Sequence, residues 1–585
     1  MAEKAPFSEV ISLFYHAIHL DTATSCYILL IPFIFLFSNS FIQKKWIDYG
    51  NLSYTFLIIL LYTLINTGEI GVYSEWKTKL DYKALAYLRH PQEVADTAST
   101  FVTILLVIIL ALQTGISFYA YKRWFYPMFK PFKTAMLWKL VFFVIFPPLL
   151  FLGLRGGVQQ IPINQAESYY SKHNILNLIA VNSGFNLYKS YLENKDFMKE
   201  NPFGFFSLAQ AKATVNQLHD VEKDTTISIL KIPHPNIVLI LLESWSGDLI
   251  ESLGGEPGIT PQFRELEKQG LLFTNLYSSG NRSQQAMAAV FGGFPSIPVT
   301  AITHNSNKFI KLPSLSKELN KAGYNTSYYF GGQLIYGELR AYIMFNEFKR
   351  IIEGKDFDPS IPQGKLGVHD QYLFARQLND LKNEKEPFFS AEFTLSSHSP
   401  YDQPMDKVLT WGGDENQFIN SAYYTDKCLG DYFREARKQK WYKNTLFILV
   451  ADHSHNSYRN WGVNTPPYRK IPLMFYGDAL KDEFKGKQIK RISSQTDLAC
   501  TLLKQLNLDA SSFTWSKNLF NPYTPEFAYF EINVGCGWIR PDGQFVYQNT
   551  TKSFDQNTFP PGLKETRTKE GKSYLQVLFQ QFMDY

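Results

Sequence analysis

Four long apolar runs lie within the first 160 residues of this 585-residue chain, and they constrain its fold more than any other feature. Each run is close to the roughly 20 residues that a helix needs to cross a bilayer. Because all four precede any pattern typical of a soluble domain, they predict an N-terminal α-helical transmembrane bundle over residues 1–154. The predicted spans are 23–42, 52–72, 100–120 and 135–154.

Basic residues in the loops between these runs predict the orientation of the spans. They follow the first and third runs, and they are Lys44, Lys45, Lys122, Arg123, Lys130 and Lys133. The positive-inside rule assigns both loops to the cytoplasm, so everything from Arg155 onward is predicted to be extracytoplasmic. No basic segment precedes the first run and further spans follow it, so no cleavable signal peptide is predicted. Phe7–Leu20 is apolar but short, which predicts an interfacial helix.

Two regions follow the predicted bundle. Residues 155–232 contain stretches with helical apolar spacing and are predicted to form an extracytoplasmic helical connector. Pro233 and Pro235 stop helical structure, and residues 233–585 are predicted to form a further domain. The last 60 or so residues carry strand-like patterns and a final helix, which we expect to fold back onto the main sheet.

Composition narrows the possible partners. The formal net charge of +5 is small for 585 residues, so no nucleic-acid partner is expected. The four cysteines (Cys26, Cys428, Cys500 and Cys536) show no CxxC spacing and are too scattered to predict a disulfide. The oligomeric state stays unknown at this point.

Two apolar strands in the second half of the chain end in side chains that bind metals. Asn236–Leu242 is a run of Val, Ile and Leu that ends in Glu243, and Thr445–Ala451 ends in Asp452 and His453. Strands here alternate with helical stretches, which predicts an α/β domain around a mostly parallel sheet. Such sheets bind ligands at the carboxyl ends of their strands. Carboxylates and an imidazole suit Mn²⁺, Mg²⁺ or Zn²⁺, so the pattern predicts a site for a divalent metal.

A polar turn between these strands in sequence, Ser279–Gln284, opens a helix. Within it, Ser283 has two interpretations. A hydroxyl at a helix N-terminus can cap the helix. It can also be a nucleophile, if a metal lowers its pKa and the helix N-terminus accepts an anionic phosphate. The spacing leaves both interpretations open.

Five segments resemble successive motifs of the lipoteichoic acid synthase-like (phosphoglycerol transferase) branch of the alkaline phosphatase/sulfatase superfamily. They are NIVLILLESWSGD, ITPQFRELEKQGLLFTNLYSSGNRS, TLSSHSPY, NTLFILVADHSH and QTDLACTLLKQLNL. The likeness extends from the spans to about residue 515. It implies an α/β alkaline phosphatase/sulfatase-like domain after the membrane helices. Family members usually have five spans, which implies a first helix that is missing or degenerate here.

The resemblance also implies residue roles. Ser283 would be the nucleophile and would ligate one divalent metal together with Glu243, Asp452 and His453. Mn²⁺ is expected in first place, with Zn²⁺ or Mg²⁺ as alternatives.

Further positions concern the substrate. His398, in TLSSHSPY, would face the leaving or entering group, and Arg340 would contact a phosphate. The polar or acidic residues that the family has after Gly–Gly are replaced by Gln333–Tyr336, so the headgroup pocket departs from the family pattern. His455 has two interpretations, a group that supports the metal ligands or a solvated loop histidine.

Together these features predict an enzyme of the bacterial cytoplasmic (inner) membrane with an extracytoplasmic catalytic domain. It would transfer a phosphoglycerol-type headgroup from a phospholipid donor to a glycan or polymer hydroxyl. The alternatives are a phosphoethanolamine transferase, a phosphodiesterase, a sulfuric ester hydrolase and a catalytically silent homologue. The sulfatase alternative is disfavoured because Ser283 is followed by Gln–Gln–Ala–Met, which lacks the pattern that directs formylglycine formation.

Overall fold

The computed structural model of the chain describes residues 5–76, 79–80, 100–129, 135–158, 163, 168, 170–171, 174–196, 200–304, 306–334 and 339–585. The chain divides into two compact units, Met1–Phe197 and Met198–Tyr585. This division runs through the predicted connector, residues 155–232, so that its first part belongs to one unit and its last part to the other.

The first unit is helical. Its helices are α1 (Phe7–Ile42), α2 (Lys45–Trp76), α3 (Thr100–Ala120), α4 (Met136–Arg155), α5 (Asn174–Ala180) and α6 (Ser183–Asp196). Within the described residues, four helical segments are long and apolar enough to cross a membrane: Phe7–Ile42, Lys45–Tyr73, Phe101–Met128 and Met136–Arg155. The predicted interfacial helix at Phe7–Leu20 is instead the first part of α1. No glycine or proline separates it from the first apolar run, so the helix continues without a break.

Short-range packing holds the described helices of this unit together. The hydroxyls of Thr63 on α2 and Thr114 on α3 are hydrogen-bonded at 2.7 Å, which satisfies two buried polar groups at once. Phe33 and Phe37 of α1 pack on Phe143 of α4, with ring centroids 5.5 and 4.7 Å apart.

The second unit is built on a nine-stranded sheet. The strands are β1 (Asn236–Leu242), β2 (Leu271–Tyr277), β3 (Asn325–Phe330), β4 (Arg350–Ile352), β5 (Phe388–Phe393), β6 (Thr445–Ala451), β7 (Lys470–Tyr476), β8 (Lys487–Ile489) and β9 (Ser493–Ser494). Their order is β4-β3-β5-β1-β6-β7-β2-β8, with β9 also beside β2. Neighbours are parallel except where β7 runs antiparallel to β6 and β2. The prediction of a helical bundle followed by a mostly parallel α/β domain is confirmed.

The described part of the second unit also contains helices. They are α7 (Leu208–His219), α8 (Pro261–Glu267), α9 (Ser283–Gly292), α10 (Ser306–Phe309), α11 (Leu315–Lys321), α12 (Leu339–Phe345), α13 (Asp370–Leu381), α14 (Asn416–Ala436), α15 (Pro466–Arg469), α16 (Leu498–Gln505) and α17 (Lys564–Asp584).

The two strands at the centre of the sheet position the candidate site. Every residue of β1 and of β6 is buried, as expected for Val, Ile and Leu runs that are covered on both faces. Their parallel register pairs Leu242 with Ala451. The residues that follow, Glu243 and Asp452, therefore leave the sheet side by side.

The last part of the chain does not add strands to the main sheet. It forms a separate four-stranded antiparallel sheet of β10 (Ala528–Ile532), β11 (Gly535–Arg540), β12 (Gly543–Gln548) and β13 (Ser553–Asn557), which packs beside Tyr277 at the end of β2. Connections of only two to four residues join these strands, so each strand pairs with its neighbour in sequence. Helix α17 follows, and its Phe579 packs on Phe203, which precedes α7, at a centroid distance of 5.0 Å.

Candidate metal and phosphotransfer site

Three potential metal ligands meet at the carboxyl ends of β1 and β6. Glu243, Asp452 and His453 each offer one ligand atom, and these atoms lie within 4.8 Å of one another. All three residues are buried. Buried acids placed this close carry charges that need a positive partner.

Hydrogen bonds orient the Asp452 carboxylate and leave one oxygen for a cation. Its Oδ1 accepts the backbone N–H groups of Ser244 at 2.8 Å and of His453 at 2.7 Å. Its Oδ2 is fully buried and accepts no hydrogen bond within the described part of the chain. Nδ1 of His453 donates to the carbonyl of Ser454 at 2.8 Å, so Nε2 is the nitrogen that can ligate.

Two serine hydroxyls hold Glu243 in place. The Ser244 hydroxyl donates to Glu243 Oε1 at 2.6 Å, and the Ser397 hydroxyl donates to the Glu243 carbonyl at 2.6 Å. Ser244 has a φ of 62°, a left-handed conformation that turns the chain directly after the carboxylate. Burial, and then the neighbouring Asp452, raise the pKa of Glu243 well above its usual range. A divalent cation would supply the positive charge that favours the ionised form, so this donor set fits such a metal.

The Ser283 side chain faces this cluster. Its Oγ lies 3.4 Å from Glu243 Oε2 and 3.4 Å from His453 Nε2. Ser283 is the first residue of α9, and the N-cap position belongs to Arg282. The hydroxyl is therefore directed at the cluster and does not cap its own helix. Of the two interpretations that the sequence left open, the helix cap is not what the structure shows, and the nucleophile stays a prediction.

The rings of two more histidines are held, like that of His453, by a hydrogen bond from Nδ1 to the carbonyl of the next residue. Nδ1 of His398 donates to the Ser399 carbonyl at 2.7 Å, and Nδ1 of His455 donates to the Asn456 carbonyl at 2.9 Å. Burial lowers the pKa of His398, and the Ser399 contact opposes that shift. Burial also lowers the pKa of His455, to about 4. Each ring therefore presents Nε2 as its basic nitrogen.

His455 has defined neighbours and is not a solvated loop residue. Its Nε2 accepts the Tyr401 hydroxyl at 3.2 Å, and its ring lies 4.5 Å from that of Phe418. It thereby joins the loop after His398 to the loop after His453.

Arg340 lies apart from the cluster. Its guanidinium forms an ion pair with Glu353, which also accepts the Leu334 N–H at 2.9 Å and pairs with Lys355 at 2.8 Å. None of the contacts described for Arg340 reaches Glu243, Ser283, Asp452 or His453. Of the segment Gln333–Tyr336, Ile335 and Tyr336 lie outside the described residues.

Two residues at the site were missed by sequence reasoning. The positive charge of Arg282 adds to the effect of burial in lowering the pKa values of His398 and His455, so this cation lies near both rings. Gln495 is buried, and its amide donates to the carbonyls of Ala451 at 2.7 Å and Asp452 at 2.5 Å. In the sequence, Arg282 could have been noticed as a basic residue directly before Ser283, and Gln495 as the first residue of the QTD sequence.

Comparisons with known proteins show what this chain is similar to. Residues 235–508 match the profile of the Sulfatase family. Lipoteichoic acid synthase 1 of Bacillus subtilis is 24% identical over 277 residues, which cover 42% of this chain and 41% of that protein. Lipoteichoic acid synthase of Staphylococcus saprophyticus is 24% identical over 301 residues, which cover 48% of this chain and 46% of that protein. The chain is thus similar to the lipoteichoic acid synthase-like branch of the alkaline phosphatase/sulfatase superfamily.

Solved structures of this superfamily share the fold. An alkaline phosphatase superfamily protein from Vibrio parahaemolyticus has a TM-score of 0.55 at 24% identity, covering 64% of this chain and 95% of its own. The lipoteichoic acid synthase LtaP from Listeria monocytogenes has a TM-score of 0.54 at 16% identity, covering 63% and 97%. The chain matches less than half the length of the curated lipoteichoic acid synthases named above. Sulfatase superfamily enzymes use a divalent metal, and the buried Glu/Asp/His group can hold one.

Proposed function

We propose that this protein is a membrane-anchored, metal-dependent transferase that moves a phosphoglycerol-type headgroup from a phospholipid to a hydroxyl of a glycan or polymer. The reaction passes through a covalent intermediate on Ser283. The observation that carries the proposal is the position of Ser283 Oγ, 3.4 Å from both Glu243 Oε2 and His453 Nε2 at the start of a helix. The names of the curated relatives support the substrate class.

The membrane helices fit a lipid substrate. Four helices long and apolar enough to span a bilayer keep the domain where a phospholipid headgroup is met. The basic loops predict that the catalytic domain lies on the extracytoplasmic side of the bacterial cytoplasmic membrane.

Glu243, Ser283, Asp452 and His453 would hold one divalent cation, Mn²⁺ in first place and Zn²⁺ or Mg²⁺ as alternatives. When bound, such a cation supplies Lewis acidity, which lowers the pKa of a hydroxyl and offsets negative charge on phosphoryl oxygens. The buried Asp452 Oδ2, which accepts no described hydrogen bond, supports this assignment.

In the first half-reaction the deprotonated Ser283 Oγ attacks the phosphorus of the lipid headgroup. The Oγ–P bond forms, and the bond from phosphorus to the diacylglycerol oxygen breaks. His398 holds the proton that Ser283 released and gives it to that oxygen, so diacylglycerol leaves as the alcohol. The N–H groups in the first turn of α9 carry the positive end of the helix dipole, which favours the anionic headgroup.

In the second half-reaction an acceptor hydroxyl gives its proton to His398 and attacks the phosphorus. The bond between phosphorus and Ser283 Oγ breaks, and the serine returns to its starting state. His398 thus gives one proton and regains one, which suits an imidazole.

The decisive experiment is incubation of the full-length protein with phosphatidylglycerol or phosphatidylethanolamine, followed by mass measurement of the peptide that contains Ser283. We expect a phosphoglycerol adduct that is absent from Ser283→Ala. Ser511→Ala serves as the control, because its exposed hydroxyl donates to Asp509 and not to the cluster. A phosphoethanolamine adduct would show that the donor is phosphatidylethanolamine and not phosphatidylglycerol. If neither lipid gave an adduct, the proposed transferase activity would be refuted.

A further inference from the structure

A buried polar network joins the loop before Ser283 to the second sheet. We call Ser278–Arg282 the nucleophile loop. Glu531 on β10 is buried, and its N–H donates to the Ser279 carbonyl at 2.8 Å. Its Oε1 accepts the Gln285 side-chain amide at 3.2 Å, and Gln285 Oε1 accepts the Asn281 N–H at 3.0 Å. Glu531 therefore supports this loop both directly and through Gln285.

Arg469 completes this network. Its carbonyl accepts the Ser278 N–H at 2.8 Å, and its Nη2 donates to the Glu531 carbonyl at 2.8 Å. The guanidinium is fully buried and lies 5.2 Å from the centre of the Phe530 ring. Burial lowers the pKa of Arg469, and the Glu531 carboxylate opposes that shift. The two buried charges thus favour each other beside the nucleophile loop.

Packing on the other side leaves the nucleophile loop little freedom. The hydroxyls of Ser279 and Ser296 are hydrogen-bonded at 2.9 Å. A Cβ atom added at Gly280 would overlap Gln285 Oε1 and Ser296 Oγ. The loop backbone is therefore enclosed between these two side chains.

Apolar contacts attach the second sheet at the same place. Five buried residues of this sheet form a cluster with the partly buried Tyr277 and Ile492: Ala528, Phe530, Ile532, Ile539 and Val546. Tyr277 is the last residue of β2 and directly precedes the nucleophile loop. The second sheet follows the stretch that matches the Sulfatase family, residues 235–508. Support for the loop thus comes from outside the matched stretch.

We infer that Glu531 is a positioning residue, and that the second sheet acts through it to hold the nucleophile loop so that Ser283 Oγ faces Glu243 and His453. Displacing a reacting atom by about 1 Å can cost on the order of 100-fold in rate, so order in this loop matters for chemistry. The catalytic consequence rests on the proposed function, whereas the ordering of the loop does not.

The test compares Glu531→Ala with Glu570→Ala in the full-length protein in detergent. Glu570 is also a buried acid of the C-terminal part, where it accepts the Trp538 indole N–H at 3.3 Å and pairs with Arg567 at 2.7 Å. No contact described for it reaches the nucleophile loop, so it controls for general loosening. Glu531→Gln keeps a carbonyl oxygen that can accept the Gln285 amide. If Glu531→Ala does not fold, Gln285→Ala removes the same hydrogen bond by changing its other partner.

Two readouts separate positioning from stability. In hydrogen exchange, we expect Glu531→Ala and Gln285→Ala to speed exchange in residues 278–285 by about tenfold or more, while β1 and β6 keep their protection. In the Ser283 adduct assay, the same variants should react at least about tenfold more slowly, with metal affinity unchanged and Glu531→Gln close to wild type. Exchange at 278–285 that is unchanged in Glu531→Ala, or raised equally by Glu570→Ala, would overturn the inference. A wild-type protein that forms no adduct would refute the proposed function, and the exchange data alone would then decide the positioning role.

Discussion

Glu243 and Asp452 directly follow a register pair of the central sheet, Leu242 on β1 and Ala451 on β6. Parallel pairing therefore brings two acids together although they are far apart in sequence. Both are buried, and burial together with the neighbouring Asp452 raises the pKa of Glu243. The site is thus electrostatically unfavourable until a cation balances it.

Asp452→Asn separates metal binding from fold stability. We expect this variant to lose the rise in melting temperature that Mn²⁺ or Zn²⁺ gives the wild type. Without metal it should be more stable than wild type, by on the order of 2 kcal/mol, because one of two neighbouring buried charges is removed. Thermal unfolding with and without metal or a chelator measures both effects. Glu392→Gln is the control, because it also removes a buried acid, on β5, but outside the cluster. An unchanged metal response in Asp452→Asn would contradict the assignment.

Gly280→Ala tests how tightly the nucleophile loop is packed. The added methyl group would overlap Gln285 Oε1 and Ser296 Oγ, so the loop must shift. We expect a loss of about 1–3 kcal/mol in stability, as is typical of overpacking, together with a large loss of Ser283 adduct formation. Gly562→Ala is the matched control, because its Cβ meets nothing within 4 Å. If both variants formed the adduct at the wild-type rate, the loop would be less constrained than the contacts indicate.

Asp426 should make the stability of the domain depend on pH. Its carboxylate accepts the N–H groups of Gln262 at 2.7 Å and Phe263 at 2.8 Å, at the start of α8. Burial raises its pKa to about 7, against those two hydrogen bonds. The folded state therefore keeps a proton that the unfolded state loses above about pH 4, so stability falls as the pH rises from about 4 to about 7.

Asp426→Asn should flatten that slope, because the amide does not titrate. The contribution is at most about 4 kcal/mol over the window. Melting temperatures from pH 4 to pH 8 provide the measurement, with the exposed Asp406→Asn as a control that keeps the wild-type slope. An equal slope in Asp426→Asn and wild type would show that the carboxylate is already ionised in this range.

His398 should control transfer to the acceptor. Burial lowers the pKa of its imidazole, so the ring is ready to accept a proton at neutral pH. Starting from the preformed Ser283 adduct, we expect transfer to rise with pH through a pKa below 6.5 and to level off by neutrality. His398→Gln should slow this step by about 100-fold or more and remove the pH dependence. A wild-type pH profile in His398→Gln would assign the proton transfer to another group.

Much of the site could be anticipated because it depends on the ends of two strands. The Val, Ile and Leu runs of β1 and β6 predict central strands, and the carboxyl ends of such strands meet at one edge of a sheet. Glu243, Asp452 and His453 could therefore be expected together. The sequence left two roles open for the Ser283 hydroxyl, a helix cap or a nucleophile. The direction of the hydroxyl is seen only in the structure.

Other features depend on contacts that sequence patterns do not encode. The sequence does not show that Arg340 pairs with Glu353, because the pair joins a residue of α12 to a residue directly after β4 through the tertiary fold. The antiparallel direction of β7 is set by its two neighbours and not by its own residues. The strand patterns after residue 526 were visible, but whether they join the main sheet or pair among themselves is decided by tertiary packing.

The contact between Gln285 and Glu531 joins residues 246 positions apart. During synthesis, most of the main sheet can be complete before Glu531 has left the ribosome. If Glu531 orders the nucleophile loop, an unfinished or truncated chain would bind metal yet remain unable to attack a lipid. The last strands would then act as a completion signal, which delays chemistry at the membrane until the whole protein has folded.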